Sequence, residues 1–423
     1  MNKQITLREY SYIFVGTKDF NGNVAVTQPI FDELESFILQ NIDTVQYLKL
    51  GQKKQHKYLQ AQNYVGVIQT KNGTTIEILP KIAKVNSEAD TKKILIKMLR
   101  TLKKSPFKNF NMANLKSTNM PLLEIFISMF LSELDDLIKK GIKSEYIDKE
   151  ENLKFVRGKL KFNEHIKRNS IHKERFYMQY QEFTIDRLEN RLIKTTLEYL
   201  YKKSKSNKNA KHIRELLFVF DEVKVSHNHK LDFSKVRPNR QMKDYELVLQ
   251  WCHTFLLSDS FTPYHGSEVS FALLFDMNLL FESYMGHLLK RQDLDVSLQD
   301  REHHLAYLNM QEGKFQLKPD FVIRHDAEVI IADTKWKLLS EDKSHQGVSQ
   351  ADMYQLYAYG TKYKNPQCKK LFLIYPKSEN DLYEHQYYYE QVVDGLQLKV
   401  VFFDLLNPTD EFYKNFLEDK ERV

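Results

Sequence analysis

The sequence predicts an α/β protein of several domains, with a β-rich N-terminal domain, a mainly helical middle region and a C-terminal mixed sheet flanked by helices. Three observations carry this. Residues 1–90 alternate short apolar runs with turn residues, residues 91–262 space their apolar residues as helices do, and residues 263–423 run helix, hairpin, helix, strand, strand. The last order is that of a sheet covered by helices.

In the first stretch, residues 5–15 and 24–27 read as extended and residues 29–42 as a short helix. Residues 64–69 and 75–79 flank Lys71-Asn72-Gly73-Thr74, a hairpin signal. In the middle region, residues 121–140 form the best-marked helix. Pro121 suits its first turn, Gly141 its C-terminal cap, and Leu123, Phe126, Ile127, Phe130, Leu134, Leu137 and Ile138 follow helical spacing. Residues 187–203 and 211–219 read as a helical hairpin around a basic loop, 202–208. A second basic stretch holds Lys97, Arg100, Lys103, Lys104 and Lys108. Either can track phosphates, although a solvated loop is the plainer reading. Residues 244–257 begin another helix.

In the last stretch, residues 267–290 read as one long amphipathic helix with an inner stripe of Leu274, Met277, Asn278, Phe281, Tyr284, Met285 and Leu288, and with Glu282 beside it. Residues 315–324 look like a strand, 325–328 a turn, and 329–333 a buried apolar strand. Residues 351–363 read as a helix, and 370–375 and 396–403 as two further strands.

The chemistry lies in Lys318-Pro319-Asp320 and Asp333-Thr334-Lys335-Trp336-Lys337. Pro319 has no N–H donor and belongs at a strand edge, start or bulge, which turns Asp320 toward Asp333. Positions i and i+2 of a strand share a face, so Asp333 and Lys335 point the same way and Thr334 points opposite. Two carboxylates on one face call for a cation between them. Their hard oxygens suit Mg²⁺ or Mn²⁺ rather than zinc. Glu282 is positioned to add a third carboxylate, and Lys335 to hold an attacking water. Gln355 and Tyr359 lie four apart on one helical face. An isolated D-x-K is common by chance; the Pro-Asp hairpin and the apolar run before Asp333 make this one informative.

Together, Glu282 on a helix, Pro319-Asp320, Asp333-x-Lys335 and Gln355-x-x-x-Tyr359 resemble the PD-(D/E)xK nuclease superfamily, in the branch with a trailing Q-x-x-x-Y. More narrowly the chain is similar to the McrC-type nuclease subunits of McrBC modification-dependent (5-methylcytosine) restriction systems. Further segments carry that likeness: Val65-Gly66-Val67, the run 76–82, Val156-Arg157-Gly158-Lys159, Glu182-Phe183-Thr184-x-Asp186-x-x-x-Asn190-Arg191 and Phe275-Asp276-Met277-Asn278-x-x-Phe281-Glu282. The resemblance implies a restriction-endonuclease-like C-terminal domain and a metal-dependent DNA endonuclease. Its partners would be a hexameric McrB-like AAA+ GTPase, which it stimulates, and double-stranded DNA carrying modified cytosine. The alternatives are a stand-alone nuclease of repair or phage defence and a catalytically idle GTPase-activating subunit.

The composition agrees with this reading. The chain has 423 residues, is 42% hydrophobic and 28% charged, and carries a net charge of +7. That fits a folded protein with real cores and permits an acidic polymer as partner. The only cysteines are Cys252 and Cys368, which argues against a disulfide scaffold or a zinc knuckle. The N-terminus has no apolar signal core, and the longest greasy stretch, 122–131, contains Glu124 and is too short to span a bilayer. A cytoplasmic protein is expected, with no membrane partner. No phosphate-cradling loop occurs: Leu153 and Leu308 stand where Gly158-Lys159 and Gly313-Lys314 would need an earlier glycine. Nucleotide hydrolysis therefore falls to a partner, with docking assigned to residues 1–260 and cleavage to the C-terminal module. His303 and His304 read as surface or loop histidines.

Overall fold

A computed structural model of the chain describes residues 4–20, 22–40, 47–53, 56–70, 73–82, 87–102, 106–107, 120–237, 240–257, 269–292, 294–325, 328–363, 367–377, 385–389, 395–409 and 412–413. It is a mixed α/β structure with several sheets. The chain forms two compact units, one of Met1–Leu122 with Ser260–Val423 and the other of Leu123–Asp259. Where three consecutive stretches are expected from the sequence, the first and last thus share a unit.

The reason is strand Val269–Asp276. Residues 267–290 are not one helix: an apolar run of this length suits a buried strand as well as a helix. Here Val269–Asp276 pairs antiparallel with Tyr64–Thr70, and the helix begins only at Met277. The Asp276 side chain accepts from Asn278 N at 2.7 Å and starts the helix Met277–Lys290. Leu274 therefore lies in the strand, Asn278 is exposed, and Leu280 and Leu289 complete the buried stripe.

Tyr64–Thr70 also pairs with Thr75–Leu79, which runs parallel to Gln4–Arg8 and closes a four-stranded sheet. The Lys71-Asn72 part of this hairpin's turn lies outside the described residues. Residues 5–15 form two strands rather than one. Gln4–Arg8 and Tyr12–Val15 are separated by a turn in which Tyr10 has φ 62°, and the second strand belongs to another four-stranded sheet. Helix Gln28–Gln40 buries Phe31 and Leu34 among Ile5, Ile13, Ile76 and Leu274, so one core joins both sheets.

The third sheet has six strands in spatial order Asp295–Leu298, Phe321–His325, Glu328–Thr334, Cys368–Pro376, Gln397–Phe403 and His385–Tyr388. The central pairings are parallel and the outer ones antiparallel. Residues 315–324 are not a single strand. Glu312–Gln316 pairs in a separate hairpin with His304–Leu308, and Leu317–Asp320 links it to Phe321–His325. The Asp326-Ala327 turn lies outside the described residues. Helix Gln350–Lys362 buries Leu356 and Tyr359 with Val322, Ile331, Leu373 and Val400 on one sheet face. Helix Met277–Lys290 meets residues of the alternate face, with the Tyr284 ring against Phe403.

The second unit is built from helices Leu122–Lys140, Leu188–Lys203, Asn207–Val219 and Glu246–Leu256 with a three-stranded sheet of Glu145–Leu153, Phe176–Thr184 and Lys159–Leu160. The basic loop 202–208 contains an ordered turn. The buried Glu124 carboxylate accepts from Ser204 Oγ, Lys205 N, Ser206 N and Asn209 Nδ2. Of the other basic stretch, Lys103, Lys104 and Lys108 lie outside the described residues. Asp186 pairs twice with Arg191, and Asn190 donates to Lys143 O and Ile185 O while accepting from Tyr245 Oη. That run braces a helix start.

Gly66 is where the shared unit is tightest. Its φ is 139°, and a Cβ there would strike the Leu273 carbonyl oxygen on the neighbouring strand. Gly66→Ala is expected to destabilise the protein by about 2 kcal/mol or more, measured by denaturant unfolding.

Candidate active site

Strand Glu328–Thr334 is buried along most of its length because it lies between two neighbours and beneath helices. It delivers Asp333, 2% exposed, to its end. Lys335 N donates to Ile374 O at 2.9 Å, which carries the ladder one residue further. Asp333 and Lys335 share a face as the two-residue period requires, and Lys335 Nζ lies 2.5 Å from Asp333 Oδ2. Asp320 immediately precedes the neighbouring strand, whose first pair is Phe321 with Ala332. One step beyond that pair, Asp320 and Asp333 come opposite each other. Thr334 clamps Asp320: its N and Oγ1 donate to Asp320 Oδ2 at 2.7 and 2.6 Å. Gln299 N holds the Asp320 carbonyl at 2.9 Å.

Glu282 arrives from helix Met277–Lys290, and Gln299 Nε2 donates to its Oε1 at 2.7 Å. Gln355 and Tyr359 come from helix Gln350–Lys362. Lys335 Nζ donates to Gln355 Oε1 at 3.2 Å, Gln355 Nε2 to Tyr359 Oη at 2.8 Å, and Tyr359 Oη to Lys318 O at 3.3 Å. The Q-x-x-x-Y pair thus orients the lysine and pins the chain two residues before Asp320.

The electrostatics follow. Burial, then the Glu282 charge, pushes the Asp320 carboxyl above its ordinary range, against the pull of the Thr334 donors. Burial, then Asp320, pushes Asp333 up, against the pull of Lys335. Burial alone would lower Lys335, but Asp333 and then Asp320 hold it above its ordinary value. Burial pushes the Tyr359 hydroxyl up to about 12, so it stays a hydrogen-bond donor.

Among the described residues, no three His, Cys, Asp or Glu side chains form a ready-made metal cage. Mg²⁺ asks for less: one or two carboxylates, with water and phosphate oxygens completing its shell. Two opposed buried carboxylates, Asp320 raised by burial and the Glu282 charge and Asp333 by burial and the Asp320 charge, fit such an ion. Both cysteines are buried.

All six residues singled out in the sequence meet in one network. Thr334 and Gln299 were not singled out. The former alternates with Asp333 and Lys335 along its own strand, and the latter lies 17 residues beyond Glu282 with no motif to mark it. Only the D-T-K context hinted at Thr334. His304 begins an exposed strand, and the His303 ring packs against Tyr363 at 4.2 Å.

Fold and site together define an α/β protein with an acid–acid–lysine centre at the end of a mixed sheet. Residues 59–376 match the family described as McrBC 5-methylcytosine restriction system component. A curated relative, the type IV methyl-directed restriction enzyme EcoKMcrBC of Escherichia coli (strain K12), is 21% identical over 279 residues, 63% of this chain and 80% of the relative. Two solved structures from Thermococcus gammatolerans are similar. One is a half-complex from a tetradecameric assembly of McrB AAA+ hexamers with bound McrC, with TM-score 0.70, 20% identity and 98% of each chain covered. The other is the McrBC complex, with TM-score 0.52, 21% identity, and 68% of this chain and 88% of that chain covered. The chain belongs to the McrBC restriction-system component family, as its motifs led us to expect.

Because the folded chain holds the protons of Asp320 and Asp333 more tightly than the unfolded chain does, their stabilisation is full below the ordinary value of 3.8. It is lost as pH rises through the raised folded values. Without divalent metal, Asp333→Asn is therefore expected to gain about 1 kcal/mol or more over wild type near pH 8 and to show a flatter stability–pH profile. Thermal melts from pH 4 to 8 check this.

Proposed function

We propose that this chain is the DNA-cleaving subunit of a modification-dependent restriction complex. On this reading the six-stranded sheet with its two helices is a PD-(D/E)xK nuclease domain. The observation that carries the proposal is the convergence of Asp320, Asp333 and Lys335 at the end of adjacent strands, with Glu282 beside them. Asp320 and Asp333, with Glu282 nearby, would hold Mg²⁺ or Mn²⁺, which when bound polarises a phosphodiester and acidifies a water. Lys335, aimed by Gln355, places its ammonium where it can hold the attacking water and offset phosphate charge. Thr334 keeps Asp320 facing the pair, and Tyr359 keeps Gln355 facing the lysine. An idle site has no use for two buried carboxylates whose pKa values are raised by burial and by neighbouring carboxylates.

The partner follows from the relatives, in which McrC is bound to McrB AAA+ hexamers. We infer an McrB-like GTPase partner for this chain, stimulated by docking. The surface that suits docking lies in the middle region. Tyr146, Phe155, Val156, Phe162 and Phe183 are each more than half exposed, with the Tyr146 and Phe183 rings 4.9 Å apart across paired strands. Substrate recognition of modified cytosine in double-stranded DNA is assigned to the complex. Among the described residues no helix is long and apolar enough to cross a membrane.

Asp333→Ala or Lys335→Ala in the full-length chain is expected to lower the cleavage rate at least about 10²-fold with the fold intact, since each removes several kcal/mol of transition-state stabilisation. Cleavage of methylated plasmid with the GTPase, GTP and Mg²⁺ present is the assay; wild-type rates in Asp333→Ala overturn the assignment. Activity should return with Mg²⁺ or Mn²⁺ after EDTA and should not depend on zinc. Phe183→Asp should weaken GTPase stimulation about 10-fold or more while leaving the melting profile close to wild type.

A further inference from the structure

Glu9 is a carboxylate that the proposed chemistry does not use, yet it is 1% exposed and lies at the edge of the site. It follows strand Gln4–Arg8, and its N donates to Leu79 O at 3.0 Å, so the sheet fixes its backbone. Its carboxylate receives two donors. Lys81 N lies 2.9 Å from Oε2, and Trp336 Nε1 lies 3.1 and 3.0 Å from Oε1 and Oε2. Trp336 is the residue immediately after Lys335. Its own N donates to Asn278 Oδ1 at 3.3 Å, and its ring meets Phe281 edge-on at 5.5 Å. Asn278 and Phe281 are on the helix that carries Glu282. That helix is in turn held at its start by Met277 N donating to Asn63 O at 3.0 Å.

Trp336 is therefore the point where the end of the Asp333 strand, the Glu282 helix and the N-terminal sheet meet. An indole N–H buried at such a junction needs an acceptor, and Glu9 is the acceptor present. We propose that Glu9 is a positioning residue for the cleavage centre: through the Trp336 indole it fixes Lys335 relative to the helix that carries Glu282. This rests on the nuclease reading above and extends the site to a residue 327 positions away along the chain.

Burial pushes Glu9 up to about 8. The Lys81 backbone donor and the Trp336 indole pull it down, the Asp276 charge pushes it up, and the Lys81 charge pulls it down. At neutral pH the group therefore holds its proton for much of the time, so glutamine reproduces both its shape and its acceptor.

The test uses full-length protein with the GTPase, GTP, Mg²⁺ and methylated plasmid. Glu9→Leu is expected to lower kcat about 10–100-fold with KM for DNA little changed, because it loosens geometry and not binding. Glu9→Gln should restore the rate to within about 3-fold of wild type. Trp336→Phe, which keeps an aromatic ring but removes the N–H together with the pyrrole part of the indole, should reproduce the loss of Glu9→Leu. It also decides the matter if Glu9→Leu fails to fold. An activity-independent readout uses a Trp251→Phe background, in which Trp336 is the sole tryptophan of the two. Its emission should shift in Glu9→Leu and return in Glu9→Gln. If wild type cleaves and a folded Glu9→Leu or Trp336→Phe cleaves equally well, the inference fails while the nuclease reading stands. If Glu9→Gln is as impaired as Glu9→Leu, or the loss lies in KM alone, positioning through the indole acceptor is also overturned. If wild type does not cleave under these conditions, the nuclease reading fails and this inference fails with it.

Discussion

The crowding of Asp320, Asp333 and Glu282 in a buried site governs the architecture around it. Two carboxylates opposed at the end of adjacent buried strands are unfavourable unless their neighbours compensate. Each neighbour does so by a different contact. Lys335 brings a full charge to Asp333, Thr334 gives Asp320 two hydrogen bonds, and Gln299 holds Glu282 back by its oxygen. The contacts are local, but they stay in place because the strands beneath them are buried on both faces. A sheet of this kind yields little, since its interior packs as densely as a crystal.

Second supports hold the first. Lys335 is aimed by Gln355, which is held by Tyr359, which also fixes the Lys318 carbonyl. The chain of bonds returns to the segment that supplies Asp320, so the lysine and the first acid are set by the same helix. A buried tyrosine with its hydroxyl pushed up to about 12 suits this task, because it remains a donor throughout the working pH range.

Much of the site was legible because strand chemistry has a short period. The i, i+2 rule places Asp333 and Lys335 together, and helical i, i+4 spacing places Gln355 beside Tyr359. The helix 351–363 and the strands at 370–375 and 396–403 were similarly plain, being bounded by turns or by Pro376. The segment 267–290 was not. Val269–Asp276 is apolar enough to suit a strand or a helix, and only its partner, more than 190 residues earlier, makes it a strand. Residues 315–324 look like one strand in sequence for a related reason: the exposed hairpin that ends at Gln316 and the buried strand that starts at Phe321 abut without a turn signal. Thr334 shows the limit of face arguments. Strict alternation puts it on the face away from Asp333, yet at the strand's end its Oγ1 donates to Asp320.

The same long-range pairing separates the boundary of the chemistry from the boundary of the fold. Residues 263–423 contain Glu282, Asp320, Asp333, Lys335, Gln355 and Tyr359, so the sequence suggests a self-contained module. Yet the strand that leads into the Glu282 helix takes its hydrogen bonds from Tyr64–Thr70, the helix start takes Asn63 O, and the residue after Lys335 takes Glu9. A piece cut at residue 263 keeps every reactive group and loses the partners that orient two of the elements bearing them. An edge strand stripped of its neighbour also exposes a row of unpaired backbone groups. The N-terminal sheet is accordingly part of the scaffold of the candidate site, in the same compact unit as the C-terminal stretch, while Leu123–Asp259 forms the other unit.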